Sequence, residues 1–341
     1  MRLVDPVLGS HDVVEPLLRE LLDSTVVGRL RGVHQSGGSY LVKRGRDVSR
    51  HDHSVGVMLL VRSLGGSVME QAAGLLHDAA HTAFSHVADI VLSRRDESSH
   101  DDELRRLLSH SDVGPILARY GIKIDSIQDA NSLPLLLPQL PDLSADRIDY
   151  TLRDLQLAGL IANRDAKQFV AALEINAGRI VVNGPGLGLW FARKYHQEVV
   201  QFFMDPLELY ANAHLAAAIK LALERGVIQR SSLFLRDDEL LSALNRDVEI
   251  RGLIAVLRAG IRVVEDDRLF DYHVFSKARI VDPWVRVDGG AIKRSSELSD
   301  EVQALHTDVL RRTRTGSFVR LVQEAAGDHQ DEGAARSCEI S

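Results

Sequence analysis

The sequence predicts a mainly α-helical protein with a small β-hairpin and a smaller α+β part near its C-terminus. Apolar residues recur at helical spacing over long stretches, and residues 68–81 are dense in alanine and leucine, as expected of a buried helix. Strand-like patterns are short and lie beyond residue 172. With 341 residues, 45% of them apolar, the chain is long enough for one large helical domain with an appendage, or for two domains.

The predicted helices follow one another along the chain. The first covers 11–32, and the chain then passes into an irregular loop through Ser36-Gly37-Gly38. The same apolar spacing predicts further helices, in chain order, at 51–64, 68–81, 82–92, 101–108, 113–120, 145–157, 165–173, 189–203, 206–224, 237–260 and 298–312. The last of them follows an acidic turn, which favours a helix N-terminus.

The β elements are predicted from alternation and from β-branched residues. Apolar residues alternate on both sides of the turn Asn176-Ala177-Gly178, which predicts a hairpin at 173–182. Strand-like stretches recur at 262–264 and at 272–287, where Pro283 breaks the pattern. We therefore expect a core at 1–230, a small α+β region at 231–323 and a disordered tail at 324–341.

Composition excludes several classes of protein. The net charge of −7 disfavours a protein that coats nucleic acid, although a local basic pocket is allowed. The single cysteine, Cys338, cannot form an internal disulfide and fits a reducing compartment, most simply the cytoplasm. The N-terminus lacks a signal-peptide core, and no apolar run approaches the roughly 20 residues that span a bilayer. We expect no membrane association.

The most informative pattern is a set of histidines and aspartates at unequal spacing, namely His53, His77, Asp78 and Asp146, and it predicts a metal-dependent hydrolase. His77, Asp78, His81 and His86 lie within ten residues, after the alanine-rich helix. Titratable groups in such apolar surroundings are costly unless something pairs with them, and a metal ion takes both imidazole and carboxylate. On a continuous helix His77 and His81 would lie one turn apart on one face, and Asp78 would reach the same ion if the helix end opened. The alternative is that these histidines cap and satisfy a core helix.

Together with His53 and Asp146, this pattern resembles the H…HD…D signature of HD-domain phosphohydrolases. The neighbouring strings are similar to the dNTP triphosphohydrolase branch that includes the sterile-alpha-motif HD protein, over about residues 30–220. The strings that carry the resemblance are Tyr40, Gly45, Arg50, His53-Ser54-x-Gly56-Val57, His77-Asp78-x-x-His81-x-x-Phe84-Ser85-His86 and Asp146-Arg147-x-Asp149-Tyr150-x-x-Arg153-Asp154. The resemblance implies an HD-domain helical bundle.

The resemblance also implies a metal site. Its ligands would be His53, His77, Asp78 and Asp146. Mixed nitrogen and oxygen donors suit Mn, Fe, Co, Ni or Mg better than a tetrahedral structural zinc. Such an ion would activate water for attack at phosphorus. For Asp146 the alternative is an ordinary residue at a helix N-terminus.

Further residues would handle the substrate. The resemblance places His81, His86 and His100 along the phosphates, with Asp89 orienting one of them and His86 as the candidate general acid. For His100 an exposed histidine at a helix start is equally compatible. Phosphate clamps and sugar contacts would come from two arginines and from a ring and carboxylate one helical turn apart: Arg50, Arg147, Tyr150 and Asp154. Without the resemblance, the two arginines would be interpreted as members of surface ion pairs. Tyr150 would be interpreted as a core residue and Asp154 as a solvent-exposed one.

The sequence departs from the branch before the first metal histidine. Arg46 stands where the branch has a small residue, so substrate access is expected to differ, and assembly driven by allosteric nucleotides is not carried over. A homo-oligomer remains open. We predict hydrolysis of a nucleotide, with a dNTP as the best single substrate. The alternatives are a nucleoside mono- or diphosphate phosphatase or pyrophosphohydrolase, a nucleotide-sensing HD protein without turnover, and a nuclease.

Overall fold

The computed structural model describes residues 1–92, 98–129, 133–322 and 338–340. Helices dominate it, as predicted. In chain order they are α1 (Pro16–Leu22), α2 (Thr25–Arg29), α3 (Arg50–Ser63), α4 (Val68–Leu76), α5 (Val87–Val91), α6 (Ser98–Ser109), α7 (Val113–Arg119), α8 (Ala145–Leu157), α9 (Asn163–Ala171), α10 (Pro185–Glu198), α11 (Pro206–Glu224), α12 (Asp237–Leu244), α13 (Val248–Arg258), α14 (Ser295–Leu298) and α15 (Asp300–Thr315). No helix in these ranges is both long and apolar enough to cross a membrane.

The strands form three small sheets. They are β1 (Arg2–Asp5), β2 (Gly9–Asp12), β3 (Leu173–Asn176), β4 (Arg179–Asn183), β5 (Arg262–Glu265), β6 (Tyr272–Val274), β7 (Trp284–Arg286), β8 (Ile292–Arg294), β9 (Ser317–Val322) and β10 (Cys338–Ile340). β1 and β2 pair with each other, and the other sheets have the orders β3-β4-β7-β8 and β10-β6-β9-β5. The predicted hairpin is confirmed as β3 and β4, and its turn residues Ala177 and Gly178 both have positive φ.

Three capped helices position the chemistry. The side chains of Ser49, Ser67 and Ser144 accept backbone hydrogen bonds at the N-termini of α3, α4 and α8. α3 packs against both α4 and α8. A side chain at Gly56 would overlap the carboxylate of Asp149 on α8, so this glycine permits the close approach of the two helices.

The chain beyond residue 231 contributes buried residues to two hydrophobic cores. Its buried residues Val281, Val285 and Val309 belong to the larger core, together with α3, α4 and α8. β7 also pairs in parallel with β4. The smaller core lies between α11, α12, α13 and β9, and Phe84 reaches into it. The C-terminal region is thus α+β, as predicted, and the division at residue 230 stays a prediction. The predicted disordered tail at 324–341 lies outside the described residues, apart from β10.

Several predicted helix bounds are wrong. α4 ends at Leu76, so His77 to His81 form turns rather than a helical face. Residues 82–92 are helical only from Val87, because Phe84 and Ser85 adopt φ of 58° and 51°. The helix predicted at 237–260 is interrupted before Val248, where Asp247 caps α13. The region predicted as a helix at 11–32 contains the end of β2 and two short helices, and the β1–β2 hairpin was not predicted.

Candidate metal centre and substrate pocket

Three predicted ligands converge from separate elements. His53 lies in the first turn of α3, His77 directly follows α4, and Asp146 lies in the first turn of α8. One ligand atom from each side chain lies within 4.8 Å of the others. Nε2 of His53 is 3.1 Å from Oδ1 of Asp146, and Nε2 of His77 is 3.7 Å from the same oxygen. The arrangement brings together residues that are separated by up to 93 positions in the chain.

Both histidines are held by their other ring nitrogen. Nδ1 of His53 donates to Oδ2 of Asp149 at 2.9 Å, and Nδ1 of His77 donates to the carbonyl of Gly74 at 2.8 Å. These bonds leave Nε2 of both rings facing Asp146, where the neutral ring could bind a metal ion. Within the described ranges, the buried Nε2 of His77 has no hydrogen-bond partner. An orphaned buried nitrogen beside a carboxylate is the environment that a metal ligand requires.

Asp78, the fourth predicted ligand, faces the same space. Its Oδ1 is 3.5 Å from Nε2 of His77, and its Oδ2 is 3.6 Å from Nε2 of His53. The same Oδ2 accepts a 2.5 Å hydrogen bond from Arg50. Both oxygens of Asp78 therefore lie near the histidines, and Oδ2 is also bonded to a guanidinium.

The electrostatics favour a cation at this position. Burial lowers the pKa of His53, but the carboxylates of Asp146 and Asp149 outweigh it and raise the pKa to about 10. The pKa of His77 is also raised, because Asp78 and Asp146 outweigh burial. Burial opposes ionisation of Asp146, yet the two histidines hold its pKa well below the usual range. Two imidazoles and two carboxylates in this field fit a divalent metal ion.

His81 and His86 line one side of the group. Nε2 of His81 is 3.2 Å from Oδ1 of Asp78, and burial and Arg50 lower its pKa well below the usual value, so His81 is neutral. The His86 side chain is 60% exposed, and its Nδ1 is 3.2 Å from Oδ2 of Asp89. The surrounding protein atoms lower the pKa of His86, Asp89 opposes this effect and Arg50 adds to it. The prediction for the His100 side chain lies outside the described part of the chain.

The two predicted phosphate clamps differ in position. Arg50 is buried and contacts Ser85, Asp78 and Nε2 of His86, the last at 3.4 Å, so it lies inside the site. Nη1 of Arg147 instead donates to the backbone carbonyls of Pro138 and Asp142 at 2.8 and 2.9 Å. Its role as a clamp stays a prediction.

Tyr150 and Asp154 lie on the face of α8 that continues from the metal group. The Tyr150 ring centroid is 6.4 Å from that of His53, and its hydroxyl donates to Tyr195 at 2.8 Å. Asp154 accepts a 3.1 Å hydrogen bond from Nε2 of Gln35. This face of α8 therefore carries an aromatic ring and a carboxylate that accepts hydrogen bonds, and its role as a sugar contact stays a prediction.

A buried carboxylate lies beside this face of α8. Glu198 at the end of α10 is fully buried near Asp154, and within the described residues neither of its carboxylate oxygens has a hydrogen-bond partner. Burial and the charge of Asp154 raise the pKa of Glu198 well above its usual value, and burial raises that of Asp154 to about 6. Glu198 is therefore the more weakly acidic of the two. Arg46 lies nearby, bonded to Glu208 at 2.5 Å and 3.1 Å above the ring of Phe202.

Two residues that position the site were not assigned a role from the sequence. Asp149 orients His53 and is held by Arg153, which also bonds to Asp5 at 2.8 Å. Asp149 and Arg153 lie four residues apart on one helix, and this spacing could have indicated that they form an ion pair. Asp237 is buried and accepts from the backbone nitrogens of His34 and Phe84, which fixes the turn before His86. Nothing local in the sequence indicates that long-range contact.

Comparison with known proteins agrees with this geometry. The family model described as "HD domain" matches residues 50–131. A Bacillus subtilis protein named "Uncharacterized protein YdhJ" is 37% identical over 327 residues, which are 95% of this chain and 100% of that protein. "Metal-dependent phosphohydrolase cns2" of Cordyceps militaris is 32% identical over 292 residues, 83% of this chain and 84% of that protein.

Two more distant matches are a solved structure with a similar fold and a relative that is similar over a shorter part of the chain. A crystal structure of a phosphohydrolase from Bacteroides thetaiotaomicron covers 95% of this chain and 100% of its own, with a TM-score of 0.74 and 18% identity. The human "Deoxynucleoside triphosphate triphosphohydrolase SAMHD1" is 27% identical over 221 residues, 50% of this chain and 35% of that protein.

The helical bundle and its histidine and aspartate group thus define a metal-dependent phosphohydrolase with a divalent ion as its cofactor. The chain belongs to the HD-domain phosphohydrolase family, with similarity to the dNTP triphosphohydrolase branch.

Proposed function

We propose that this enzyme hydrolyses a nucleotide, with a deoxynucleoside triphosphate as the preferred substrate. The observation that carries the proposal is the continuous face of α8. It runs from Asp146 at the metal group to Tyr150 and then to Asp154, which Gln35 holds. A phosphate at the metal group would place the attached sugar beside Tyr150 and its hydroxyl at Asp154. The distant similarity to the human triphosphohydrolase supports the same substrate class.

In this proposal the divalent ion is held by His53, His77, Asp78 and Asp146. When bound, it supplies Lewis-acid polarisation of the phosphoryl group and activation of water. Arg50 donates to phosphate oxygens and neutralises their charge, since a guanidinium binds phosphate in a fixed geometry. The leaving oxygen needs a proton, and the exposed His86 is in a position to supply it. A bound anionic phosphate would favour the protonated imidazole, because opposite charges stabilise each other.

His81 has a different role. His81 is buried, neutral and in contact with Asp78, so it would line the phosphate site and hydrogen-bond to phosphate rather than act as the acid. Asp89 orients His86 through Nδ1 and leaves Nε2 facing Arg50. His100 and Arg147 are proposed as further phosphate contacts.

A panel of metals against nucleotides tests the proposal. Purified full-length protein is assayed with Mn, Fe, Co, Ni or Mg on nucleoside mono-, di- and triphosphates, and the phosphate products are identified. Release of inorganic triphosphate from a dNTP is the expected result. Orthophosphate from a monophosphate with no turnover of triphosphates would contradict it. Tight nucleotide binding with bound metal and no product would instead indicate a sensor.

A second candidate is a phosphatase for nucleoside monophosphates. One observation favours it. The buried Arg46 occupies the place where the triphosphohydrolase branch has a small residue, and it packs on Phe202 close to Asp154 and Glu198. A smaller pocket would accept a smaller substrate, and the same panel decides between the two.

A further inference from the structure

The chain between β6 and β7 crosses one side of the substrate pocket. Ser276 donates to the carbonyl of Phe203 at 3.4 Å, next to the Tyr150 ring, whose centroid is 5.9 Å from that of Phe203. Five residues later Val281 is buried in the larger core, and the backbone of Asp282 donates to the carbonyl of Pro141 at 2.8 Å. This segment, Ser276–Asp282, therefore spans from the end of α10 to the loop before α8, with both ends held.

Arg279 lies between the two anchors. Its guanidinium stands 4.6 Å above the ring of Phe203. Within the described ranges this guanidinium has no carboxylate partner and no hydrogen bond. Its positive charge acts to lower the pKa values of three groups. These are Tyr150, its hydrogen-bond partner Tyr195 and the candidate acid His86.

An unpaired guanidinium that lies over Phe203, whose ring is beside Tyr150, has the properties of an anion-binding group. The ions that would approach it are the phosphates beyond the one at the metal group. Arg50 shares its guanidinium between phosphate and Asp78, and Arg147 has Nη1 bonded to two backbone carbonyls. A substrate with two or more phosphates carries more negative charge than these shared groups neutralise, and Arg279 of the C-terminal region offers a further guanidinium.

We propose that Arg279 binds the oligophosphate tail of the substrate, so that residues beyond 231 complete the active site. The proposal rests on the proposed function only in assuming that the substrate carries phosphate groups. It gives the C-terminal region a direct part in substrate specificity. The affinity for substrates with several phosphates depends on Arg279, and the affinity for a monophosphate depends on it less.

The test uses inorganic triphosphate and the Mn-loaded full-length protein. Arg279→Met keeps the apolar stem on Phe203 and removes the charge, Arg279→Lys restores a charge, and Arg314→Met removes an exposed arginine of α15 as the control. Calorimetry should show that Arg279→Met weakens triphosphate binding by about tenfold or more, since hydrogen bonds to charged groups contribute that much. Arg279→Lys should recover part of the loss, and the control should match wild type.

Melting temperatures separate a folding defect from a binding defect. Equal affinity of Arg279→Met and wild type for triphosphate, or no binding of triphosphate by folded wild-type protein, would overturn the proposal. An equal loss for triphosphate and for orthophosphate would also overturn it, because the charge would then not select the tail. Absence of dNTP turnover would contradict the proposed function instead, and triphosphate binding would still decide the role of Arg279.

Discussion

Nδ1 of His53 donates to Oδ2 of Asp149 at 2.9 Å, so the carboxylate fixes the ring that faces the metal group. Asp149 is in turn held by Arg153, and Arg153 by Asp5 at the end of β1. All four side chains are buried. The N-terminal strand is therefore connected to the candidate ligand His53 by an unbroken row of charged contacts, and each group in the row restrains the next.

Asp149→Asn tests this row. The amide keeps the shape of the side chain but holds the His53 ring less well, and we expect the metal affinity to fall about 10- to 100-fold, as for other partners of metal-bound histidines. Metal titration of the apoprotein measures the effect. Asp125→Asn, which changes an exposed carboxylate, is the control. Unchanged metal affinity in a folded Asp149→Asn protein would show that Asp149 is only structural.

His77→Ala removes the nitrogen that has no hydrogen-bond partner. The substitution also removes the Nδ1 hydrogen bond to the carbonyl of Gly74, so the metal-free variant should be less stable than metal-free wild type by about 1 kcal/mol, and added metal should no longer stabilise it. Metal content and hydrolysis of every nucleotide should be lost. Thermal unfolding with and without metal measures both effects. Full activity of the variant would rule out the proposed metal site.

The fold was predictable wherever local signals agreed. α8 matches the predicted bounds 145–157 because Ser144 caps a strongly periodic helix, and α11 matches 206–224 because Asp205 caps it and Pro206 starts it. The turn that carries Phe84 and Ser85 was not predictable. Its left-handed backbone is held by Asp237, 153 positions away, and a long-range contact leaves no local pattern.

The candidate site, like the fold, was predictable from the sequence only in part. Residue type and the cost of burial grouped His53, His77 and Asp146 as candidate metal ligands, the resemblance supported that grouping, and the structure places their ligand atoms within 4.8 Å. That Arg50 would bond to Asp78 could not be foreseen, because the pairing depends on how α3 meets the turn after α4. Neither could the contact between Asp154 and Glu198, which lie on different helices.

His86→Gln should separate proton donation from binding. The side chain is 60% exposed, so stability should not change, while kcat for a nucleotide should fall about 10²- to 10⁴-fold. For p-nitrophenyl phosphate, whose leaving group needs no proton, the fall should be much smaller. Steady-state rates with both substrates at saturating metal measure the difference. Equal losses for the two would exclude His86 as the general acid.

The proposed sugar contact should depend on pH. The pKa of Asp154 is raised to about 6, so its carboxylate is ionised above that pH and becomes protonated below it. If the ionised form accepts from a sugar hydroxyl, kcat/KM for a nucleotide should fall by up to about tenfold per unit as the pH drops below 6. Asp154→Asn should have a low kcat/KM without this dependence. p-Nitrophenyl phosphate, which has no sugar, serves as the control for titration elsewhere, and a parallel profile for both substrates would contradict the assignment.

Glu198 should make the protein less stable as the pH rises. Burial and Asp154 raise the pKa of Glu198 in the folded state, whereas the unfolded chain releases the proton near pH 4.3. The folded state therefore holds an extra proton above that pH. Its stabilising effect is complete below about pH 4 and is lost as the pH rises towards the folded-state pKa, by about 1.4 kcal/mol per unit.

Glu198→Gln tests this pH dependence. The amide keeps the shape of the side chain without a titratable group, so the free energy of unfolding of this variant should change less steeply between pH 5 and 8. Urea unfolding at each pH measures the two slopes, and Glu224→Gln at the exposed end of α11 is the matched control. Parallel curves for wild type and Glu198→Gln would mean that Glu198 is ionised in the folded protein.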